Sequence, residues 1–457
     1  MQNLTNQPVV GQPGRSRSDL NRGMAFDRAN EDRFQEMKKE LHQRLIRALD
    51  MAAVAQMDHE HLRSQIRHTI EEYCRTTSEL LNAVERERLV NEILDETFGF
   101  GPLEGLLADP TISDILINGP KQIYVERQGK LESSPVVFHD EDHLLQIVQR
   151  ICAKVNRRVD ESSPMVDARL PDGSRVNAII PPISMTGTLV SIRKFSKQPL
   201  MAADLIKHKS VTPEIISFLE ACVFSRMNMV VSGGTGSGKT TLLNMLSGYI
   251  PENERVCTIE DTAELRLQQE HVVTLETRAP NAEGNGEINT RDLVKNALRM
   301  RPDRIVIGEC RGGEALDMLQ AMNTGHEGSL TTIHANDTRE ALSRLEMMTA
   351  MGSGDLPIWI LRRQIASAVD IIVQTARLRG GKRKITKVSE IVGMESDTIS
   401  MQDLFVFQQT GIDSQGVAEG YFECTGIRPK CFEKLISMGN QLSADLFTRK
   451  QLTPMAN

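Results

Sequence analysis

Apolar residues recur every three or four positions at Phe34, Met37, Leu41, Leu45 and Leu49, and again at Leu62, Ile66 and Ile70. That spacing lines one face of a helix, so residues 31–96 are expected to form about three helices in a small bundle with a charged outer face. The period then changes. Short β runs at 115–117 and 122–127, one helical stretch near 142–155 and the string "VDARLPDGSRVNAII" predict an α+β domain. In that string Asp172 and Gly173 form the turn of a hairpin between two alternating strands. From Met227 to about Ala376, short buried runs alternate with helical ones, which is the pattern of a parallel sheet. Its first strand is expected at 227–231 and its first helix at 239–250, with Leu242, Leu243 and Leu246 on one face.

The expected organisation is a disordered tail over 1–30, where Gln, Asn, Gly, Pro and Arg replace large apolar residues. A helical bundle follows over 31–96, an α+β domain over 97–198, a linker over 199–212 and a larger α/β domain with a C-terminal extension over 213–457. Composition narrows the class. Among 457 residues, 54 Lys and Arg against 61 Asp and Glu give a net charge of −7, so no excess of positive charge calls for nucleic acid. No apolar run is long enough to span a bilayer and no signal-peptide core opens the chain, so a soluble cytoplasmic protein with at most peripheral membrane contact is expected. The seven cysteines form no C-x-x-C pair, which fits a reducing compartment and small buried side chains.

The candidate chemistry begins with "VVSGGTGSGKTTLLNML". Gly233, Gly234, Thr235, Gly236, Ser237, Gly238, Lys239, Thr240 and Thr241 follow the pattern G-x-x-x-x-G-K-[ST] between a strand and a helix. Glycines let such a loop turn tightly, so that backbone N–H groups and the helix N-terminus surround a phosphate chain. Lys239 would reach the β and γ phosphates, and the Thr240 hydroxyl would bind Mg²⁺.

Further strings stand downstream. "VCTIEDTAEL" carries Glu260, Asp261 and Glu264 past the end of a strand, where carboxylates can orient water or hold Mg²⁺. "RIVIGE" ends in Glu309 and fits a Walker B strand next to the P-loop strand. "NTGHEGSLTTIHAND" puts His326 in a glycine turn and His334 at the end of a β run, expected as two histidines on adjoining turns that sense phosphate.

The order of these strings resembles the secretion ATPase superfamily, the motors of type II and type IV secretion and of type IV pili. "GPLEGLLADPTISDILING", "ARLPDGSRVNAIIPP" and "RPDRIVIGECRGGEALDMLQAMNTGHEGSLTTIHAND" look most like its CpaF branch, which drives tight-adherence (Flp) pili. The resemblance implies a RecA-like P-loop ATPase domain, preceded by the smaller α+β domain and the helical bundle. It implies ATP and Mg²⁺ as cofactors, with the Walker A lysine and hydroxyl at Lys239 and Thr240, the catalytic glutamate at Glu264, the Walker B glutamate at Glu309, and the histidine box at His326 and His334. It further implies a homo-hexamer that pushes on inner-membrane platform proteins. Arg175 and Arg193 of the α+β domain would then close over a neighbour's nucleotide, while the P-loop domain itself offers Arg278 and Arg311. Thr262 stands where many relatives have proline, and the four-cysteine zinc module of the type II motors is missing. A nucleic-acid translocase is disfavoured by the absence of basic-aromatic clusters, a non-hydrolysing scaffold by the intact Glu264 and Glu309, and a GTPase by the absence of an N-K-x-D string.

Overall fold

The structure is a computed structural model that describes residues 34, 37, 38, 40, 41, 59–77 and 81–452, apart from 128, 156, 196–199, 279, 281–284 and 355. The expected tail and much of the first expected helix lie outside these residues. Contacts divide the chain into one unit of Met1–Glu126 with Leu131–Lys194 and another of Arg127–Lys130 with Phe195–Asn457.

The first unit begins with two helices, α1 (His59–Thr77) and α2 (Ala83–Phe98). Ile66, Ile70 and Tyr73 of α1 and Leu89, Val90 and Ile93 of α2 bury one apolar cluster together with Phe34, Met37 and Leu41. Asn82 caps α2: its Oδ1 accepts the Glu85 N–H while the Glu85 carboxylate accepts the Asn82 N–H. After α3 (Leu103–Ala108), strands β1 (Ile112–Asn118), β2 (Ile123–Arg127), β3 (Lys130–Ser133), helix α4 (Glu141–Lys154) and strands β4 (Met165–Arg169), β5 (Arg175–Ile179) and β6 (Leu189–Arg193) complete the α+β part. The sheet order is β3-β2-β1-β6-β5-β4. Alternation decides which face is buried: Val176 and Ala178 of β5 and Val190 and Ile192 of β6 join Leu144, Ile147 and Ile151 of α4 in the core.

The second unit opens with α5 (Ala202–Lys207), so part of the expected linker is helical, then α6 (Pro213–Phe224). The elements that follow are β7 (Met229–Gly233), α7 (Lys239–Ser247), β8 (Val256–Glu260), β9 (Val272–Glu276), α8 (Thr290–Ala297), β10 (Arg304–Cys310), α9 (Glu314–Asn323), β11 (Leu330–Ile333), α10 (Thr338–Ser353), α11 (Ile358–Ala368) and β12 (Ile371–Arg377). Beyond them β13 (Arg383–Glu395), β14 (Thr398–Ile412) and β15 (Ala418–Cys424) form an antiparallel meander, and α12 (Phe432–Ser437) precedes β16 (Lys450–Leu452). Phe447 seals this extension against Phe218, Phe405 and Phe432, with ring centroids 5.5, 6.0 and 5.7 Å away.

One sheet runs through the whole unit in the order β16-β15-β14-β13-β12-β7-β11-β10-β8-β9. From β12 to β9 every pairing is parallel. β11 therefore separates the P-loop strand β7 from β10, which corrects the expectation that the strand ending in Glu309 is the direct neighbour of β7. β11, the fifth of these six parallel strands in chain order, is inserted between β7 and β10, and this insertion is the strand order of RecA-like sheets. Both faces of β7 are covered: Met229 and Val231 share a cluster with Phe218, Leu242 and Leu246, and Val230 shares one with Met318, Leu345 and Ile365.

Asn228, the residue before β7, holds this centre together. Its Oδ1 accepts the N–H groups of Gly328 (2.8 Å) and Ser329 (3.1 Å) ahead of β11, and its Nδ2 donates to the Ala368 carbonyl (2.7 Å) ahead of β12. Its own N–H donates to Asp370 Oδ2 at 2.8 Å. Nearby, the fully buried Arg304 guanidinium donates to both oxygens of Glu254 (2.5 and 3.1 Å) and to the Val223 carbonyl (2.6 Å). Gly328, at φ 83°, leaves room for it, since a Cβ there would sit 2.7 Å from Arg304 Nη1.

Asn228→Ala removes an acceptor from two buried N–H groups and a donor from a buried carbonyl. The variant is expected to lose about 2–4 kcal/mol of unfolding free energy in urea titrations; a loss below about 0.5 kcal/mol would show that the strand order does not depend on this side chain.

Candidate functional site

The P-loop leaves β7 at its carboxyl end and closes on itself before α7. Gly236 (φ 67°) and Gly238 (φ 98°) take left-handed conformations that only glycine adopts without strain. Ser237 is buried, and its hydroxyl lies 2.9 Å from the Thr375 hydroxyl at the end of β12; Thr375 in turn donates to the Ser232 carbonyl at 3.2 Å. A Cβ on Gly233 would fall 2.4 Å from both hydroxyl oxygens, so this glycine is required by close approach. Arg383 Nε donates to the Gly236 carbonyl (2.9 Å), which ties the start of β13 to the loop. The first N–H groups of α7, from Lys239 on, have no intrahelical acceptors, as at any helix start, and no side chain caps them.

Lys239 Nζ donates to the Gly234 carbonyl at 3.2 Å and stands 4.0 Å from Glu309 Oε1. Burial pushes its ammonium below the usual lysine range; Glu309 opposes that shift and Arg311 adds to it. Glu309 itself, on β10, accepts two hydrogen bonds on Oε2 from Arg311 Nε (2.9 Å) and Nη2 (2.6 Å). Arg311 also pairs with Asp261 (3.1 Å), and its contact with Glu309 raises its pKa further. Arg311 is thus committed to carboxylates of its own chain, while Arg278 donates to the Gly286 carbonyl at 2.7 Å.

Glu264 lies half-buried in the irregular segment after β8. Glu260, almost fully buried at the end of β8, folds that segment back: its Oε1 accepts the N–H groups of Glu264 (2.9 Å) and Leu265 (3.0 Å). Asn244 of α7 accepts the Arg266 N–H at 2.8 Å, and Gln269 donates to the Ser247 carbonyl at the end of α7 and to the Ile250 carbonyl beyond it. The segment carrying Glu264 is therefore laced to the helix that starts at the P-loop. Sequence reasoning grouped Glu260 with Asp261 and Glu264 and did not separate its anchoring part; its position as the last, inward residue of a buried strand was the available signal. Thr375 on β12 and Arg383 on β13, which touch the loop from more than a hundred residues later, left no local signal.

The two histidines part company. Ile333 pairs with Ser232 in register, so His334 lies beside the exit of the P-loop, on a turn held by Gln374 Nε2 donating to the Ala335 carbonyl (3.1 Å). Leu330 pairs with Met229, so His326, four residues earlier, lies at the opposite edge, with Asn228 and Arg304. The four residues of β11 pass between them, about 13 Å of strand, which corrects the expectation of two histidines on adjoining turns.

In the first unit, Arg175 on β5 stands directly opposite Arg169 on β4 and Arg193 on β6, and Arg193 stands opposite Asp114 on β1. Arg175 and Arg193 are exposed, and Arg193 Nε lies 3.3 Å from Asp114 Oδ1. Like charges directly across a ladder repel, and a bound anion would relieve them.

The donor set suits a nucleotide with Mg²⁺. Glycine-loop amides and a desolvated lysine match phosphate oxygens, and the Thr240 hydroxyl and Glu309 Oε1 are the hard oxygen donors Mg²⁺ takes. Among the described residues no cluster of three His, Cys, Asp or Glu could hold a metal by itself, and no helix is long and apolar enough to cross a membrane.

A phosphate loop at the end of the central strand, with acidic side chains gathered on the strands beyond β11, defines a RecA-like P-loop nucleotide-binding protein. The family model "Type II/IV secretion system protein" matches residues 96–414, and the chain belongs to that family. Conjugal transfer protein TrbB of Rhizobium radiobacter is 34% identical over 302 residues, covering 63% of this chain and 85% of that protein. Type IV secretion system protein VirB11 of Bartonella quintana is 34% identical over 328 residues, covering 63% and 90%. Among solved structures, the VirB11 ATPase of the Brucella suis type IV secretion system, in complex with sulphate, is 31% identical, covering 63% of this chain and 94% of that one, with a TM-score of 0.35.

Gly308 tests the anchor. A Cβ there would meet Glu260 Cγ at 2.9 Å. In Gly308→Ala the displaced carboxylate is expected to release the Glu264 and Leu265 amides, whose hydrogen exchange should quicken about tenfold, the equivalent of one weakened hydrogen bond. Unchanged exchange at both amides would refute the anchoring part assigned to Glu260.

Proposed function

We propose that this protein is an ATP hydrolase that works as a homo-hexamer and powers a tight-adherence (Flp) pilus machine. The observation that carries the hydrolase reading is the meeting, at one sheet edge, of the 233–241 loop, the Glu264 segment tied to α7, and Glu309 at 4.0 Å from Lys239. ATP is the substrate. Lys239 and the loop amides hold its phosphates, and Thr240 with Glu309 would hold Mg²⁺, which when bound neutralises phosphate charge. Glu264 orients the attacking water and takes its proton as the water oxygen bonds to the γ phosphorus and the bond from that phosphorus to the β–γ bridging oxygen breaks, ADP leaving. His334, beside the loop exit, is the histidine suited to sense the γ phosphate. His326 has no part in the same subunit's site.

Positive charge for the transition state comes from Arg175 and Arg193 of a neighbouring subunit, since Arg311 is already engaged by two carboxylates. The motor acts in the cytoplasm, docked peripherally on inner-membrane platform proteins, and moves pilin into or out of the filament. The strings around Asp114, Arg175 and Glu309 that resemble the CpaF branch support the pilus system. A second reading, the ATPase of a type IV secretion or conjugation machine, is favoured by the names of the relatives TrbB and VirB11. Deleting the gene in its host separates them: loss of surface filaments supports the pilus motor, and loss of conjugal transfer or effector export with filaments intact supports the secretion motor.

Two site variants test the chemistry. Lys239→Ala should bind no ATP and hydrolyse none while melting near the parent's temperature, and substantial steady-state hydrolysis would sink the nucleotide assignment. Glu264→Gln should bind ATP normally but turn it over about 10²–10⁴-fold more slowly; near-normal turnover would remove Glu264 from the reaction.

The arginines are tested by mixing. Subunits carrying Arg175→Ala with Arg193→Ala, and subunits carrying Lys239→Ala, are each expected to be inactive alone. Mixed rings contain interfaces with one intact site, so hydrolysis should partly return. Inactive mixtures, with co-assembly seen by native mass spectrometry, would argue against arginines supplied across the interface.

A further inference from the structure

The second unit holds a cavity of about 710 Å³ that no part of the proposed hydrolysis uses. It lies where the end of α5 and the turn after it, the β12–β13 turn and the β14–β15 hairpin come together, and its volume is in the range of small-molecule sites. Lys207, His208, Lys209, Lys382 and Lys384 line it. Asp413 and Glu419 are its acidic residues, and Asp413 Oδ1 is taken up by the N–H groups of Gln415 and Val417 (both 2.8 Å). Among the described residues none of the four lysines pairs with a carboxylate.

The basic side chains are gathered by backbone geometry. Lys209 takes a left-handed conformation (φ 55°), unfavourable for a side chain with a Cβ, and its carbonyl accepts a hydrogen bond from Lys384 Nζ at 2.7 Å. The next carbonyl, of Ser210, accepts the Ile385 N–H at 2.9 Å, which fixes the α5 turn along the start of β13. The Lys384 ammonium lies over Phe407 and Phe422, 4.9 and 5.4 Å from the ring centroids, with its stem half-buried. Burial, with repulsion from Lys382 and Lys209, lowers its pKa to about 8. Strained backbone thus holds like charges together at a partly desolvated lysine, at a cost that a bound anion would offset.

We propose that this cavity binds a phosphate-bearing anion at a site separate from the P-loop. Lysines act as point charges on phosphate oxygens, and the volume admits more than one phosphate group, so the ligand class is an organic phosphate or diphosphate. The same chemistry is offered by a free phosphorylated molecule and by the headgroup of an anionic phospholipid.

The test uses the full chain with Lys239→Ala, so that the P-loop takes no part and the result does not depend on the ATPase reading. Lys384 is labelled by a pulse of amine-acylating reagent at pH 8 and followed by mass spectrometry, without ligand, with inorganic pyrophosphate, and with phosphatidylglycerol or phosphatidylcholine vesicles. An anion beside Lys384 that raises its pKa by about one unit lowers its reactive neutral fraction about fivefold. Protection by pyrophosphate supports the free ligand; protection by phosphatidylglycerol vesicles alone supports the headgroup. In either case the protection should vanish when Lys207→Gln and Lys209→Gln are added, with the melting temperature unchanged. Calorimetric titration with the same pyrophosphate or vesicles should lose its heat in that variant. Absence of both protection and heat, or their survival in the variant, overturns the proposal.

Discussion

The centre of the second unit rests on one amide side chain. Asn228 reaches the backbone ahead of both strands that flank β7, accepting from Gly328 and Ser329 on one side and donating to Ala368 on the other. Each parallel neighbour reaches β7 by a long crossover, and nothing local sets its register. A single residue that satisfies backbone groups on both sides fixes where each strand begins. β7 pairs with β11 over four residues and with β12 over five, so alignment at their starts also brings Gly233, His334 and Thr375 beside one another at the far end.

At that far edge the charges form a graded chain. Asp261 and Glu309 share Arg311, Glu309 faces Lys239, and Lys239 is held partly out of water. Every cation in this chain already has an anion or a carbonyl. Incoming phosphate oxygens therefore compete with existing partners rather than meeting bare charge, which keeps the loop folded when empty and makes binding depend on the whole set. Glu260 performs a similar service for the backbone, gathering two amides so that the Glu264 segment keeps one path beside α7.

The β4–β5 hairpin, the first strands and helix of the second unit and the glycine loop were legible because each rests on local pattern: alternation marked the hairpin, and the loop's residue spacing placed the phosphate cradle between strand and helix, whereas the β13–β15 meander went unread as a mere C-terminal extension. Strand order was not legible, since periodicity tells which face of β10 is buried but not whether β10 or β11 sits next to β7. The same blindness put His326 with His334, because eight residues of separation look close in sequence and span the full width of a short strand. Residues that reach the loop from afar, Thr375 and Arg383, belong to pairings visible only in three dimensions.

Among the described residues the ten-stranded sheet ends on short strands at both sides, the three residues of β16 and the five of β9. So few open backbone groups make a poor template for another chain to extend the ladder. Copies of this protein that meet one another would then do so through side chains on their faces and loops. Contacts of that kind can be made and broken repeatedly without merging the sheets of two copies, and an edge so blunted also resists the runaway stacking that a long, flat, parallel sheet would otherwise invite.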